Sequence, residues 1–224
     1  APVLASQFPQ LVSITEDAAQ TPFLVSALLG STTDVDSSPL GIAIYNTEGN
    51  ALNGWEYNIG ASWIAIPAVS ISNALLLGST DEIRYTPDLE NGETATFSYF
   101  AWDQTTGSAG SSVPATTRGG LTALSLEGDI ATLEVLDVND APVLAGPDPT
   151  YTTDENTPIV FTVANVIGSY IDDVDLNAVE GIAIYATTAS PTLGTLQYSV
   201  NGAWITFNST TVSSTAALLL PPTA

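Results

Sequence analysis

Ala1-Pro2-Val3-Leu4 recurs as Ala141-Pro142-Val143-Leu144, and GIAIY at Gly41–Tyr45 recurs at Gly181–Tyr185, both at an offset of 140 residues. Asp34-Val35-Asp36 returns as Asp173-Val174-Asp175, Tyr57 and Trp63 as Tyr198 and Trp204, and Ala74–Leu77 as Ala217–Leu220. Six anchors in one order make this a tandem repeat, so any fold proposed for the first copy must also serve the second. The anchors divide the 224 residues into a first repeat, 1–140, and the N-terminal part of a second, 141–224. The second copy has no counterpart of Ile83–Tyr85, Phe97–Ala101 or Ile130–Val135 and is therefore expected to be incomplete. The first residues match those that follow Asp140, and the chain opens without methionine or a signal peptide, so it reads as a segment of a longer array.

Within each copy the local pattern is that of strands. Ala95, Phe97, Tyr99 and Ala101 alternate with Thr96, Ser98 and Phe100, and Ala131, Leu133 and Val135 alternate with Thr132 and Glu134. Asn201-Gly202, between Leu196–Ser199 and Trp204–Phe207, is the dipeptide that accepts positive φ in a two-residue hairpin, and Gly60-Ala61 holds the matching place in the first copy. Strands separated by Gly, Pro, Asn and Asp clusters every ten or so residues indicate an all-β fold of the sandwich type. The Ser-, Thr- and Gly-rich stretch 104–128 is expected to be one long surface loop.

Charge narrows the chemistry. There are 24 acidic residues against two basic ones, Arg84 and Arg118, for a formal charge of -22. Nucleic acid is excluded as a partner, and so large an anionic excess repels itself in the compact state unless cations neutralise it. Histidine, cysteine and methionine are all absent, which removes zinc, copper and iron sites, thiol chemistry, Ser-His-Asp triads and disulfides together. Carboxylates, amides and carbonyls remain, the oxygen ligands that a hard cation such as calcium takes in sets of six to eight. No apolar run approaches the roughly 20 residues needed to cross a bilayer, so no membrane insertion is expected.

The junction between the copies is the most informative stretch. Asp137-Val138-Asn139-Asp140 ends the last expected strand of the first copy and leads directly into Ala141-Pro142-Val143-Leu144. This arrangement resembles the bacterial cadherin-like tandem repeats of large calcium-binding surface proteins and adhesins, and the resemblance covers the whole chain. Asp137, Asn139 and Asp140 match the family's Asp-x-Asn-Asp-Asn linker, with Ala141 in place of the final asparagine. The early acidic residue of the family matches Glu16 or Asp17 in the first copy and Asp154 or Glu155 in the second. Its Asp-x-Asp pair matches Asp34 with Asp36 and Asp173 with Asp175, and its Ala-x-Asp element matches Ala101-Trp102-Asp103. The Leu-Asp-Arg-Glu element is absent, with Asp88, Glu90 and Glu93 near its expected place.

The resemblance implies Ig-like, Greek-key sandwiches in tandem and calcium as the bound ion. It implies that Glu16, the linker, Asp173 and Asp175 converge at the joint between repeats, and that Asp34, Asp36 and Asp103 lie at the opposite pole, facing a preceding repeat. Each of these aspartates has a competing role as a turn or Asx cap. The expected function is that of an extracellular or cell-surface structural or adhesive repeat whose joints are stiffened by calcium, with neighbouring repeats, identical subunits, a surface protein or a glycan as partners. A subunit of a self-assembling filament or surface layer shares the same calcium logic and differs in who supplies the next repeat. A carbohydrate-binding module would use Trp55, Trp63, Trp102 and Trp204. An enzyme with paired carboxylates lacks any histidine, lysine or cysteine to assist it, and no catalytic activity is expected.

Overall fold

The computed structural model of the chain describes residues 1–18, 21–36, 39–49, 54–188, 194–207 and 212–223. It divides into two compact units, Ala1–Val138 and Asn139–Ala224. The division falls inside the Asp137–Asp140 junction. Among the described residues the fold is nearly all-β, with several sheets and two short helices.

In the first unit the elements are β1 (Ile14–Thr15), β2 (Phe23–Leu24), α1 (Ser26–Leu29), β3 (Gly41–Glu48), β4 (Gly54–Asn58), β5 (Ile64–Ala65), β6 (Ala74–Gly78), β7 (Glu82–Thr86), β8 (Glu93–Trp102), β9 (Ser112–Val113) and β10 (Leu124–Leu136). One sheet has the order β1-β10-β8-β3-β6-β9 and a second the order β2-β7-β4-β5. Both sheets turn apolar side chains into a common core. Ile42, Ile44, Leu75, Leu77, Phe97, Tyr99 and Ala101 come from the first sheet, and Trp55, Tyr57, Ile83 and Tyr85 from the second. Period-two alternation is what permits this: Ala95, Phe97, Tyr99 and Ala101 all point inward from β8, as Ala131, Leu133 and Val135 do from β10.

The other face of β8 departs from the sequence reading. Phe100 and Trp102 are buried too, in a second cluster with Ala43, Ala74, Leu76, Ala115 and Leu124. The stretch 104–128 is therefore not a simple surface loop. Ser112–Val113 pairs with β6, the Ala115 N–H donates to the Ile71 carbonyl at 2.7 Å, and Arg118 lies over the Phe100 ring. Its Ser, Thr and Gly residues supply turns, and the few apolar residues among them cover the back of the sheet.

The second unit contains β11 (Val143–Leu144), α2 (Val163–Ile167), β12 (Ile171–Asp172), β13 (Ile182–Ile184), β14 (Gln197–Val200), β15 (Ala203–Thr206) and β16 (Leu218–Leu220). It repeats the first unit pair by pair. Val143 faces Asp172 as Val3 faces Thr33. Ile182, Ala183 and Ile184 face Leu220, Leu219 and Leu218, as Ile42, Ala43 and Ile44 face Leu77, Leu76 and Leu75. Tyr198 faces Ile205 as Tyr57 faces Ile64. Asn201 and Gly202 turn the β14–β15 hairpin with φ of 56° and 81°, the double positive φ of the expected two-residue turn.

The two helices depart from a sequence that reads as strands throughout. Each is a short piece that places two apolar side chains on the core, Leu28 and Leu29 in α1 and Val163 and Ile167 in α2. Each ends on a glycine with nearly the same backbone, Gly30 (φ 46°, ψ −118°) and Gly168 (φ 54°, ψ −126°). Thr162 and Asn165 close a capping box on α2. Helices of four and five residues are shorter than the window in which a 3.6-residue period can be recognised, so no pattern announces them.

Candidate metal centre

In the first unit the site is built by the end of β10. From Pro9 onward the chain runs parallel to that strand. The Thr132 N–H donates to the Pro9 carbonyl at 3.0 Å, and the Leu11 N–H donates to the Thr132 carbonyl at 2.8 Å. Ile14 and Thr15 then pair with Val135 and Leu136, and the Glu16 N–H reaches the Leu136 carbonyl at 3.1 Å. This edge is held in place from upstream by Asp129, itself buried, which accepts from the Gln7 N–H at 2.7 Å and the Phe8 N–H at 3.1 Å. The pairing delivers Glu16 to the point where β10 ends, with its side chain fully buried. The Val138 N–H donates to Glu16 Oε1 at 2.8 Å.

Asp137 is positioned by the turn before β8. Its Oδ1 accepts the Gly92 N–H at 3.0 Å, and Gly92 packs so close that a Cβ there would lie 2.6 Å from the Asp137 nitrogen and 2.9 Å from the Val135 oxygen. The outcome is a pair of carboxylates, one buried at Glu16 and one exposed at Asp137, with oxygens within 4.8 Å of each other. Two like charges at that distance repel by about 3 kcal/mol at a near-surface effective dielectric, less where water screens the Asp137 side. A cation between them reverses the sign of that interaction. Of the choices Glu16 or Asp17, burial selects Glu16; Asp17 is exposed.

In the second unit the linker is tied to the Asp-x-Asp pair. The Asp140 N–H donates to Asp175 Oδ2 at 3.0 Å, and the Asp175 N–H donates to Asp173 Oδ1 at 3.1 Å. The other carboxylate oxygen of Asp175, Oδ1, is buried with no hydrogen bond among the described residues. Asn139 turns its side-chain amide to the Asp140 carbonyl at 2.6 Å. Asp154 and Glu155 are exposed; hydrogen bonds from Thr157 and then from the Asn156 N–H hold the Asp154 carboxyl below its ordinary range. Asp154 occupies the place of Glu16 in the repeat, but among the described residues the second unit has no strand corresponding to β10, the element that encloses Glu16 in the first.

The remaining expected ligands sit elsewhere in the first unit. The Asp36 N–H donates to Asp34 Oδ1 at 2.9 Å, the same turn as at Asp173 and Asp175, and Asp34 Oδ2 lies 3.9 Å from the Ala1 amino nitrogen. Asp103 is buried and accepts from the Thr105 N–H and hydroxyl, an Asx turn. Among the described residues Asp34, Asp36 and Asp103 do not form a group of carboxylates with oxygens within 4.8 Å of one another. Asp88 accepts from the Glu90 N–H in a turn of its own, and Glu93 accepts from the Tyr85 hydroxyl. The residue that sequence reasoning missed is Gly92; the Asn91-Gly92 dipeptide signals a turn, but not that the turn positions a carboxylate 45 residues away.

Glu16 and Asp137 carry carboxylates that could hold a metal ion, and the donor set around them is oxygen alone. The two arginines are committed elsewhere, Arg84 to the Glu56 carboxylate at 2.8 Å and Arg118 to the carbonyls of Ala115 and Leu126. Charge compensation at the buried carboxylate therefore suits a mobile cation better than an arginine of this chain. Comparison with known proteins finds no matching family model, no matching curated protein and no matching solved structure. No helix among the described residues is long and apolar enough to cross a membrane.

Proposed function

We propose that the chain is a calcium-binding structural repeat of a cell-surface or fibre protein, built as Ig-like Greek-key sandwiches of the cadherin-like kind. The observation that carries this reading is the meeting of buried Glu16 with Asp137 at the exit of the last strand, at the start of the Asp-x-Asn-Asp linker. Calcium is the cation best matched to such donors, since it accepts carboxylates, amide and backbone carbonyls in flexible geometry, whereas magnesium demands a near-ideal octahedron and keeps its waters. The mechanical consequence follows from chain continuity. Residues 137–140 join one repeat to the next, and an ion that takes ligands from this segment fixes backbone torsions that would otherwise rotate. An array of such repeats is stiff where calcium is millimolar and slack where it is scarce. Support for a sugar-binding role is weaker, because of the four tryptophans Trp55 and Trp102 are buried and the Trp63 ring is capped by Arg84 at 4.3 Å, which leaves Trp204 exposed without an aromatic partner platform from the other three.

Calorimetric titration of calcium into the metal-free chain at low salt tests this directly. The expected result is saturable binding with Kd on the order of 10⁻⁴ to 10⁻³ M, the range of extracellular modules. Glu16→Gln combined with Asp137→Asn should weaken it at least about tenfold, as expected for removing two anionic ligands. Unchanged affinity in that variant would remove Glu16 and Asp137 from the site.

A further inference from the structure

The chain contains two arginines and no lysine, so proteases that cut after basic residues have two bonds to act on, Arg84–Tyr85 and Arg118–Gly119. Such an enzyme must draw the basic side chain into its specificity pocket. The first unit turns both guanidinium groups inward. Arg84 sits in β7, which lies between β2 and β4. Its Nε donates to Glu56 at 2.8 Å, its guanidinium lies 4.3 Å over the Trp63 ring, and the following Tyr85 is buried. Freeing that bond means opening the second sheet.

Arg118 is held in a different way. Residues 104–123 form a strap whose Val113, Ala115 and Ala123 pack with Phe100 and Trp102 on the back of the first sheet. One arm of the strap is stitched to β6: the Gly110 N–H donates to the Leu76 carbonyl at 2.8 Å, and the Leu76 N–H donates to the Ser111 carbonyl at 2.9 Å. The other arm runs through a turn in which Thr116, Thr117, Gly120 and Leu121 are exposed and Gly119 and Gly120 take φ of 72° and 61°. From this turn Arg118 reaches back. Its guanidinium lies 4.3 Å over the Phe100 ring, Nη1 donates to the Ala115 carbonyl, and Nε donates to the Leu126 carbonyl at 3.4 Å. A register shift in β10 between Leu124 and Gly128 takes Leu126 out of the pairing with β8, so its carbonyl accepts from the guanidinium instead of from the neighbouring strand.

We infer that Arg118 is the latch of this strap, and that its engagement withholds the Arg118–Gly119 bond from proteases that cut after basic residues. A guanidinium suits the task because it covers a ring with its flat face while donating from its edge in two directions; an ammonium has neither the plane nor the fork. The far side of the bond is closed as well, since the Gly119 N–H donates to the Leu124 carbonyl at 2.9 Å. The unit therefore has a fixed order of attack. Local release of the turn exposes Arg118, whereas Arg84 is reached only when the second sheet loses its pairing.

The test is a trypsin time course on the full chain, with fragments identified by mass and a synthetic peptide of residues 113–123 as the unfolded reference. Cleavage after Arg118 should run at least about a hundredfold slower in the folded chain than in the peptide, as for a bond seen only in a minor open state, and should precede cleavage after Arg84. Arg118→Lys keeps the charge and leaves the bond a substrate, but removes the planar fork. Referred to a peptide with the same substitution, its cleavage should be at least about tenfold faster than that of the unsubstituted chain, with cleavage after Arg84 unchanged. The inference is overturned if the unsubstituted chain is cut after Arg118 as fast as its peptide, if the Arg84 bond is cut first, or if Arg118→Lys leaves the relative rate unaltered. Faster cleavage at both bonds in that variant would also overturn it, because lost stability rather than a lost latch would then be the cause.

Discussion

Gly92 fixes Asp137 through contact rather than through backbone freedom. Its missing Cβ makes room for the Asp137 nitrogen and the Val135 oxygen, backbone atoms that cannot swing aside as a side chain could. Gly92→Ala should therefore cost about 1–3 kcal/mol of stability, the usual range for overpacking, and weaken calcium binding at the same time. Urea denaturation and calcium titration of the one variant read both effects; full stability with native affinity would mean that the turn yields freely. Asp81 offers a test of sign. Burial holds its carboxyl above the ordinary value, with the Gly78 N–H, donated at 2.6 Å, pulling the other way. The folded state therefore keeps its proton to higher pH than the unfolded state, whose pKa is near 3.8, and stability falls as pH rises through that window. Asp81→Asn should raise Tm at pH 7 and leave it nearly unchanged at pH 3, where the carboxyl is largely protonated in both states. At this scale the sequence names the ligand types but leaves Glu16 and Asp17 unresolved. What separates them is a parallel pairing with Val135 and Leu136, far along the chain, which no local pattern encodes.

The β14–β15 hairpin is legible because its signal is local: two residues, both with positive φ, between alternating strands. Gly202 has nothing within 4 Å of the place a Cβ would take, so Gly202→Ala tests the backbone alone. With φ at 81° the substitution should cost about 1 kcal/mol and speed amide exchange across Gln197–Thr206 about fivefold. An unaltered exchange rate would mean that the hairpin is held by its flanks rather than its turn. The stretch 104–128 misleads because composition reports the majority of residues, whereas packing is decided by Val113, Ala115 and Leu124. The α1 and α2 turns escape a pattern search because they are too short to show a period, although the Gly30 and Gly168 stops recur in both copies.

For the whole molecule, the repeat is the most readable feature, since an offset in sequence becomes the same strand registers in space. The candidate site is legible in part. Asp137, Asp140, Asp173 and Asp175 carry hydrogen bonds at the linker and the Asp-x-Asp turn, whereas Asp34, Asp36 and Asp103 serve turns in the first unit. With a charge of -22, this chain gains from any screening salt, so a specific ion must be distinguished from ionic strength. The direct measurement is the thermal melt of the full chain in calcium, in chelator, and in sodium chloride of matched ionic strength. An ion that binds only the folded state adds roughly 2.7 kcal/mol at about 100 times its Kd, which raises Tm by several degrees. The calcium melt should exceed both controls by that margin; three coincident melts would contradict a bound ion.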